Sequence, residues 1–197
     1  MATGYRVPGM SDKATATVRE RLQERLTALI DTELTLKHIH WNVVGPTFIG
    51  VHEMLDPQVL AVREMVDTVA ERIATMGGEP IGTPGFVAKN RSWDDYSIGR
   101  ATTAEHLGAL DVVYDGLIAD HRRAIQEFDD LDLVSQDMLI GQSTQLEMFQ
   151  WFVRAHLEDS AGNIPTTASM RLEEAARAGG KTSKRAAKRS SKRAAKR

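Results

Sequence analysis

Apolar residues recur every three or four positions along most of this chain, which is the spacing that gives an α-helix one buried face. The first run predicts a helix over residues 11–44, and the Gly45-Pro46 break ends it. A second run occupies residues 55–73 and stops at Gly77-Gly78, a helix C-terminal signal. These runs predict two long helices joined by a tight turn.

The second half of the chain repeats this arrangement. Thr102 and Glu105 have the spacing of a capping box, and the apolar positions after them predict a third helix that ends near Phe128. The same period continues over about residues 131–158 and predicts a fourth helix. Alternating β-branched runs, the pattern of strands, are absent from the sequence, so the predicted fold class is all-α.

The connection between the second and third helices is long. About 24 residues separate them, whereas the other two connections are tight turns. A crossover of this length runs along a bundle and makes the two helices that it joins parallel. This predicts a ferritin-like four-helix bundle. We expect residues 93–96, Trp-Asp-Asp-Tyr, to form a short helix within the crossover.

The composition is that of one domain with a tail. With 42% hydrophobic and 26% charged residues, the 197-residue chain is long enough for one core. We divide it into an N-terminal extension (1–10), the bundle (11–160) and a flexible C-terminal tail (161–197) that is basic from residue 181. No apolar run approaches the roughly 18 residues of a membrane span. The lack of cysteine excludes thiolate metal sites and, with no signal-peptide pattern, predicts a cytoplasmic protein.

The end of the chain is basic and repetitive. The heptapeptide SKRAAKR occupies residues 183–189 and again 191–197, whereas residues 1–180 carry about −11, with 16 Lys and Arg against 27 Asp and Glu. A tail with cations and no acids binds phosphates without sequence preference, and the lack of aromatic residues favours double-stranded DNA over single strands. A solubilising tail, or one that binds another anionic surface, is the alternative. The nine candidate DNA-binding residues are Lys181, Lys184, Arg185, Lys188, Arg189, Lys192, Arg193, Lys196 and Arg197.

Four potential metal ligands share one face of the second predicted helix. At about 100° per residue they fall within about 100° of one another, and they are His52, Asp56, Asp67 and Glu71. Asp56 and Asp67 are nevertheless about 16 Å apart along the axis, beyond the reach of one ion. His40, just before the turn, can approach the first pair. One chain therefore cannot close the site, and a two-fold partner would supply the second pair.

The ligand types limit the metal. Imidazole and carboxylate together suit iron, zinc or manganese, and two carboxylates accommodate the added charge when Fe(II) becomes Fe(III). The intrachain di-iron site of an ordinary ferritin needs Glu-x-x-His pairs on two helices, and this sequence contains none. Taken singly, each residue is explained as a solvated acid or a helix-capping histidine. The full five-residue pattern favours a metal site.

Residues 34–73, LTLKHIHWNVVGPTFIGVHEMLDPQVLAVREMVDTVAERI, resemble the signature of the Dps family, the DNA-binding proteins from starved cells. The resemblance covers about residues 8–160. The family motif is a His-Trp-Asn triplet, then His and Asp, then Asp and Glu one helical turn apart, and every ligand position of it is matched.

The resemblance implies a hollow dodecamer with ferroxidase centres at its two-fold dimer interfaces. Each centre would combine His40, His52 and Asp56 of one subunit with Asp67 and Glu71 of the next, and would take up to two iron ions. Fe(II) would be oxidised, preferably by hydrogen peroxide, and stored as ferric mineral in the cavity. The basic tails would bind and condense DNA in the nucleoid.

Two residues beside the ligands have roles that the resemblance leaves open. Trp41, next to His40, would intercept stray oxidising equivalents, or it is a buried core aromatic. Glu53, next to His52, would nucleate mineral inside the cavity, or it is an ordinary exposed glutamate.

An acidic cluster lies around the start of the fourth predicted helix, and it comprises Asp129, Asp130, Asp132 and Asp137. At a three-fold axis, a ring of such carboxylates would focus cations and form the pore through which iron enters, as in the family, and Asp137 is the preferred pore residue. The alternative is that these acids favour the positive end of the helix dipole.

Two other functions compete with this reading. The chain could be a nucleoid-architectural DNA-binding protein with a vestigial ferroxidase site, which the intact ligand set argues against. It could also be a plain iron store, which the repeated basic heptapeptide argues against.

Overall fold

A computed structural model of the chain describes residues 6–194; for Ser183 and from Arg185 onward it describes the path of the last helix but not the side chains. The helices are α1 (Asp12–Asn42), α2 (Phe48–Thr75), α3 (Pro84–Asn90), α4 (Thr103–Phe128), α5 (Leu133–Leu157) and α6 (Leu172–Ala194). Two short strands, β1 (Val43–Val44) and β2 (Ala101–Thr102), form one parallel pair.

Helix starts follow the local chemistry. The Ser11 hydroxyl accepts a hydrogen bond from the backbone N–H of Ala14 at the start of α1 (3.1 Å). At the start of α4, the backbone N–H and the hydroxyl of Thr102 donate to the Glu105 carboxylate at 2.9 and 2.7 Å. These contacts satisfy polar groups that the first helical turn leaves without partners. The predicted helices α1, α2, α4 and α5 are confirmed.

The ends of the helices confirm the parallel arrangement of α2 and α4. Strand β1, between α1 and α2, pairs with β2, which leads directly into α4. The hydroxyl groups of Thr47 and Thr103, at the starts of α2 and α4, are 3.0 Å apart. Both helices therefore begin at the same end, and the long crossover returns the chain to it. The ferritin-like four-helix bundle is confirmed.

The core lies between these four helices and is mostly aliphatic. One polar contact crosses its centre, where the Tyr114 hydroxyl of α4 donates to the Gln58 side-chain oxygen of α2 at 2.7 Å. Both residues are buried, so this hydrogen bond fixes the relative position of the two parallel helices. None of the helices in the described part of the chain has the length and apolar character that crossing a membrane requires.

The crossover does contain a short helix, but the predicted position of that helix is wrong. It is α3, which starts at Pro84 and precedes residues 93–96. Proline suits a first helical position, because a backbone N–H at that position, which proline lacks, would have no acceptor within the helix. Trp93 instead lies in a non-helical segment, which its indole N–H fixes by donating to Asp31 of α1 at 2.6 Å. The Tyr96 hydroxyl lies 3.0 Å from Nδ1 of His106.

The segment after α5 differs from the predicted flexible tail over residues 161–197. The Thr166 hydroxyl donates to buried Asp111 at 2.5 Å, and the first half of α6 packs on α4 with Ala175 and Ala176 buried. The lack of large apolar residues from Gly179 onward favours a flexible tail in the sequence. Small residues allow the backbones of two helices to approach closely, and this close packing replaces bulky side chains.

Candidate metal centre

His40 and His52 face each other where α1 and α2 meet. Nδ1 of His40 donates to the backbone carbonyl of His52 at 3.0 Å, and Nδ1 of His52 donates to the carbonyl of His40 at 2.9 Å. The two rings stack with centroids 3.6 Å apart. Because a carbonyl oxygen only accepts, each Nδ1 carries a proton, and in the neutral imidazole each Nε2 keeps a free lone pair. Metal-binding histidines have this arrangement, so the pair fits a metal.

Asp56 lies beside this histidine pair. Its carboxylate is 3.3 Å from Nδ1 of His40 and 3.1 Å from Nζ of Lys37. The hydrogen bond from Lys37 is the main reason that the pKa of Asp56 lies below its usual value, and the nearby histidines lower this pKa further. Asp56 is therefore held ionised beside two imidazoles, as an oxygen ligand requires.

Asp67 and Glu71 lie at the other end of α2, and both are exposed. Because α2 is continuous from Phe48 to Thr75, the 1.5 Å rise per residue separates Asp56 from Asp67 by about 16 Å. Within the described residues of one chain, no three histidine or acidic side chains form a group that could hold a metal ion. The structure pairs His40 with His52 and places Asp56 beside His40, but these three do not close a site by themselves, and the second pair stays apart.

An exposed apolar side chain lies in the middle of the ligand-bearing face, close to the exposed Arg63. Leu60 lies between Asp56 and Asp67 on α2 and is 67% exposed. Phe48 and Ile49 at the start of the same helix are also exposed. A surface with exposed leucine at its centre and ligands at both ends has the composition of a contact between subunits.

Trp41 is 71% exposed and lies on the protein surface, so its reading as a core aromatic is wrong for the single chain. Nζ of Lys37 is 5.8 Å from the centre of the indole ring. The side chain therefore neighbours both His40 in sequence and Lys37 in space. Glu53, the other uncertain neighbour of the ligands, is exposed.

The acidic cluster at the start of α5 divides into two kinds of residue. Asp132 is buried and caps α5, and its carboxylate accepts a hydrogen bond from Arg72 at 2.7 Å and another from the Ser135 hydroxyl. Burial alone would raise the pKa of Asp132, but the hydrogen bonds from Ser135 and Arg72 outweigh burial and hold this pKa below its usual value. Asp132 is thus structural, whereas Asp129, Asp130 and Asp137 are exposed.

The sequence pattern did not identify two residues that lie near the candidate ligands. Lys37 pairs with Asp56, and its position three residues before His40 places it on the same helix face. Arg72, next to Glu71, bonds both Ser135 and Asp132 and fixes the far end of α2 against α5. Lys37 had a helical-spacing signal in the sequence; Arg72 had none.

The remaining histidines face structural partners. Nε2 of His38 lies 2.8 Å from the carbonyl of Ile98 in the crossover. His106 is buried beside Tyr96, and His121 is buried in the bundle core, where burial lowers its pKa to about 4. Burial also lowers the pKa of His106, so both buried side chains stay neutral near pH 7.

The basic tail lies only partly within the described side chains. Lys181 and Lys184 are exposed on α6. The other seven candidate DNA-binding side chains, from Arg185 onward, lie outside the described part, although the path of α6 continues to Ala194.

Comparisons with known proteins agree with this architecture. The ferritin-like domain family matches residues 19–161. The DNA protection during starvation protein of Mycolicibacterium smegmatis is 58% identical over 162 residues, which are 82% of this chain and 88% of that protein. The fine tangled pili major subunit of Haemophilus ducreyi is 46% identical over 160 residues, 81% of this chain and 85% of that protein.

Solved structures share the fold. Mycobacterium smegmatis Dps in its tetragonal form has a TM-score of 0.81 and 58% identity and covers 82% of this chain and 98% of its own. DpsA14 from Streptomyces coelicolor has a TM-score of 0.82 and 55% identity, with 84% and 99% covered. The chain therefore belongs to the Dps family of ferritin-like proteins.

Proposed function

We propose that this protein is a ferroxidase and iron store that also binds DNA. The observation that carries the proposal is the reciprocal pair of Nδ1–H to carbonyl hydrogen bonds between His40 and His52. In the neutral rings it leaves Nε2 of each histidine free to bind a metal, with the Asp56 carboxylate 3.3 Å from Nδ1 of His40 and two exposed carboxylates at the opposite end of α2. This donor set suits iron in both of its common oxidation states.

The site is completed by a second copy of the chain. If two α2 helices pack antiparallel around a two-fold axis near Leu60, the histidine end of each meets Asp67 and Glu71 of the other. Burial of exposed Leu60 in both copies favours this packing through the hydrophobic effect. Each dimer then contains two equivalent sites, each with up to two ions, and the full particle is a homododecamer with a central cavity.

The reaction is oxidation of Fe(II), which is the substrate. Two Fe(II) ions each lose one electron, and one hydrogen peroxide takes up both electrons and two protons to become two waters. Because both electrons go to one peroxide, no hydroxyl radical is released. The ferric product then hydrolyses and is stored as mineral in the cavity.

Three further residues have auxiliary roles in this proposal. Trp41, exposed beside the histidine pair, donates an electron to a stray oxidant before it escapes. Glu53 binds ferric ions at the cavity wall. Asp137, an exposed acid at the start of α5, lines the pore through which Fe(II) enters.

The DNA-binding part rests on the basic segment and on the name of a relative. The Mycolicibacterium smegmatis relative is called a DNA protection during starvation protein. Nine cations from Lys181 onward, without an acid, suit sequence-independent binding of duplex phosphates. Many such segments on one particle condense DNA by multivalency, and we expect the particle in the cytoplasm on the nucleoid.

The direct test loads the protein with Fe(II) without oxygen and then adds a pulse of hydrogen peroxide. The ferric absorbance of wild type is compared with that of an Asp67→Ala/Glu71→Ala variant that still assembles. We expect rapid oxidation in wild type alone. Equal slow traces would mean that the ligands are structural, and a nucleoid-architectural protein with a vestigial site would then be the better proposal.

A further inference from the structure

We propose that α6 is an arm in two parts: the first half is fixed on α4 by glycine and alanine, and the second half is thereby held as a basic helix for duplex DNA. This inference rests on the DNA-binding part of the proposed function. It adds that the arm meets DNA as a preformed helix rather than as a flexible chain.

The first half of α6 packs on α4 through close contact of the two backbones. Gly108 of α4 lies against the carbonyl oxygen of Ala175, and Gly179 of α6 lies against the carbonyl oxygen of Ala104. A Cβ atom on either glycine would fall inside van der Waals contact with backbone. Only glycine allows this approach at both positions, and Ala176 is buried in the same seam.

Other contacts hold the same half of α6. The Ser97 hydroxyl in the crossover donates to the Glu173 carboxylate near the start of α6. Gly180 lies so close to Glu105 that a Cβ there would be 2.8 Å from its Cγ. The attachment therefore involves α4 and the crossover, from Glu173 to Gly180.

The register places the end of the attachment where the basic segment begins. Ala175 is opposite Gly108 and Gly179 is opposite Ala104, so α6 runs antiparallel to α4. Continuing that register brings Gly180 level with the first residue of α4, Thr103. Residues 181–194 consequently continue beyond the N-terminal end of α4 for about 21 Å, at 1.5 Å per residue.

The attachment changes the helix equilibrium of the basic segment. An isolated helix of this length is marginal, because forming its first turn is unfavourable by roughly a thousandfold. Like charges one helical turn apart weaken it further. The fixed first half of α6 supplies the nucleus, so the basic half only has to propagate a helix. Duplex phosphates then neutralise its charges, and less ordering entropy opposes binding.

Matched glycine variants test this proposal in the full-length particle. Gly108→Ala and Gly179→Ala each place a Cβ against backbone of the other helix, whereas Gly116→Ala on α4 meets open space. Hydrogen exchange of residues 172–184 measures attachment, and titration of a fixed-length DNA duplex at several salt concentrations measures binding. Alanine favours an isolated helix over glycine, so lost protection cannot reflect helix propensity.

We expect protected amides in wild type and in Gly116→Ala, and loss of protection in the other two variants. Duplex affinity should fall about tenfold in those two, because the arm must then fold on binding. The slope of affinity against salt should stay unchanged, since the number of cations is the same. A Lys181→Gln/Lys184→Gln variant should instead lower that slope by about 2.

Three results would overturn the inference. Unprotected α6 amides in wild type would mean that the helix is not fixed on α4. Lost protection in the Gly108→Ala and Gly179→Ala variants with unchanged duplex affinity would mean that the arm binds as a flexible polycation. The DNA-binding part of the proposed function would then be unaffected. A wild-type particle that binds no duplex would remove both this inference and the DNA part of the proposed function.

Discussion

The two ends of α2 carry candidate metal-ligand side chains in opposite surroundings. At the first end, His52 stacks on His40 at 3.6 Å and Asp56 pairs with Lys37 at 3.1 Å. At the second end, Asp67 and Glu71 are exposed. The first end is organised within one chain, and the second is not.

This difference indicates which half of the candidate site a single subunit prepares. Imidazole rings bind metal in one orientation and tautomer, and the hydrogen bonds between His40 and His52 set both in advance. Carboxylates bind from many directions and need less preparation. A site shared between subunits then forms when the prepared half of one chain meets the exposed carboxylates of another.

The largest effect is expected when the two ends are disabled in different chains. His40→Ala/His52→Ala and Asp67→Ala/Glu71→Ala should each lower peroxide-driven Fe(II) oxidation at least about a hundredfold. Particles co-assembled from equal amounts of both variants should regain about a quarter of the wild-type rate, because each mixed dimer contains one intact shared site. The measurement is stopped-flow ferric absorbance.

Particles co-assembled from two differently tagged copies of the same variant are the control for this experiment. Mixed particles that contain both tags but recover no activity would contradict a site shared between two chains.

The apolar surface between the two ends provides the next test. Leu60→Glu keeps all five ligands but places a charge where two α2 helices would pack, so we expect subunit pairing to fail and oxidation to fall at least about tenfold. Sedimentation and the peroxide assay measure the two effects, with Leu60→Met as the volume-matched control. Full activity of Leu60→Glu in a paired state would contradict a dyad at Leu60.

The second end of α2 is fixed to α5 through Arg72, next to Glu71. Arg72→Ala leaves the buried Asp132 carboxylate without its guanidinium partner, so the free energy of unfolding should fall by about 2–3 kcal/mol. Denaturant unfolding measures this change. Arg122→Ala, which removes an exposed ion pair with Glu147, should change it by less than about 1 kcal/mol.

The pH dependence of the free energy of unfolding tests whether the ion pair between Arg72 and Asp132 causes this loss. The lowered pKa of Asp132 means that its ionised form stabilises the fold above the unfolded pKa of about 3.9, and this stability is lost as pH falls through the lower folded value. The difference in the free energy of unfolding between wild type and Arg72→Ala should therefore become smaller below about pH 4. A difference that stays constant would point to lost packing instead.

The smallest effect is expected at the first end of α2. Lys37→Met removes the partner of Asp56, but Asp56 is exposed and solvent screens the pair, so thermal unfolding should show no measurable change in Tm. Calorimetry makes the measurement. A clear drop in Tm would mean that the Lys37 pair, rather than the stacked histidines, organises this end.

Much of the fold could be read from the sequence, because it depends on local periodicity. The apolar spacing located the four long helices, and the Thr102 and Glu105 pair located the start of α4 within a residue. The short helix was misplaced because Trp93 is fixed by Asp31, more than 60 positions away in the chain. The role of Asp132 was hidden for the same reason, since its partner Arg72 is on another helix.

The sequence by itself determined that all four candidate ligands of α2 share one face and that one straight helix keeps them too far apart for one ion, because helical rise and rotation are fixed per residue. It also determined the charge of the C-terminal segment. Only the tertiary structure decided that His40 and His52 exchange hydrogen bonds, and that Gly179 fits against Ala104 and holds α6 on α4. Such contacts depend on how closely two distant backbones approach, and spacing within one helix does not encode that distance.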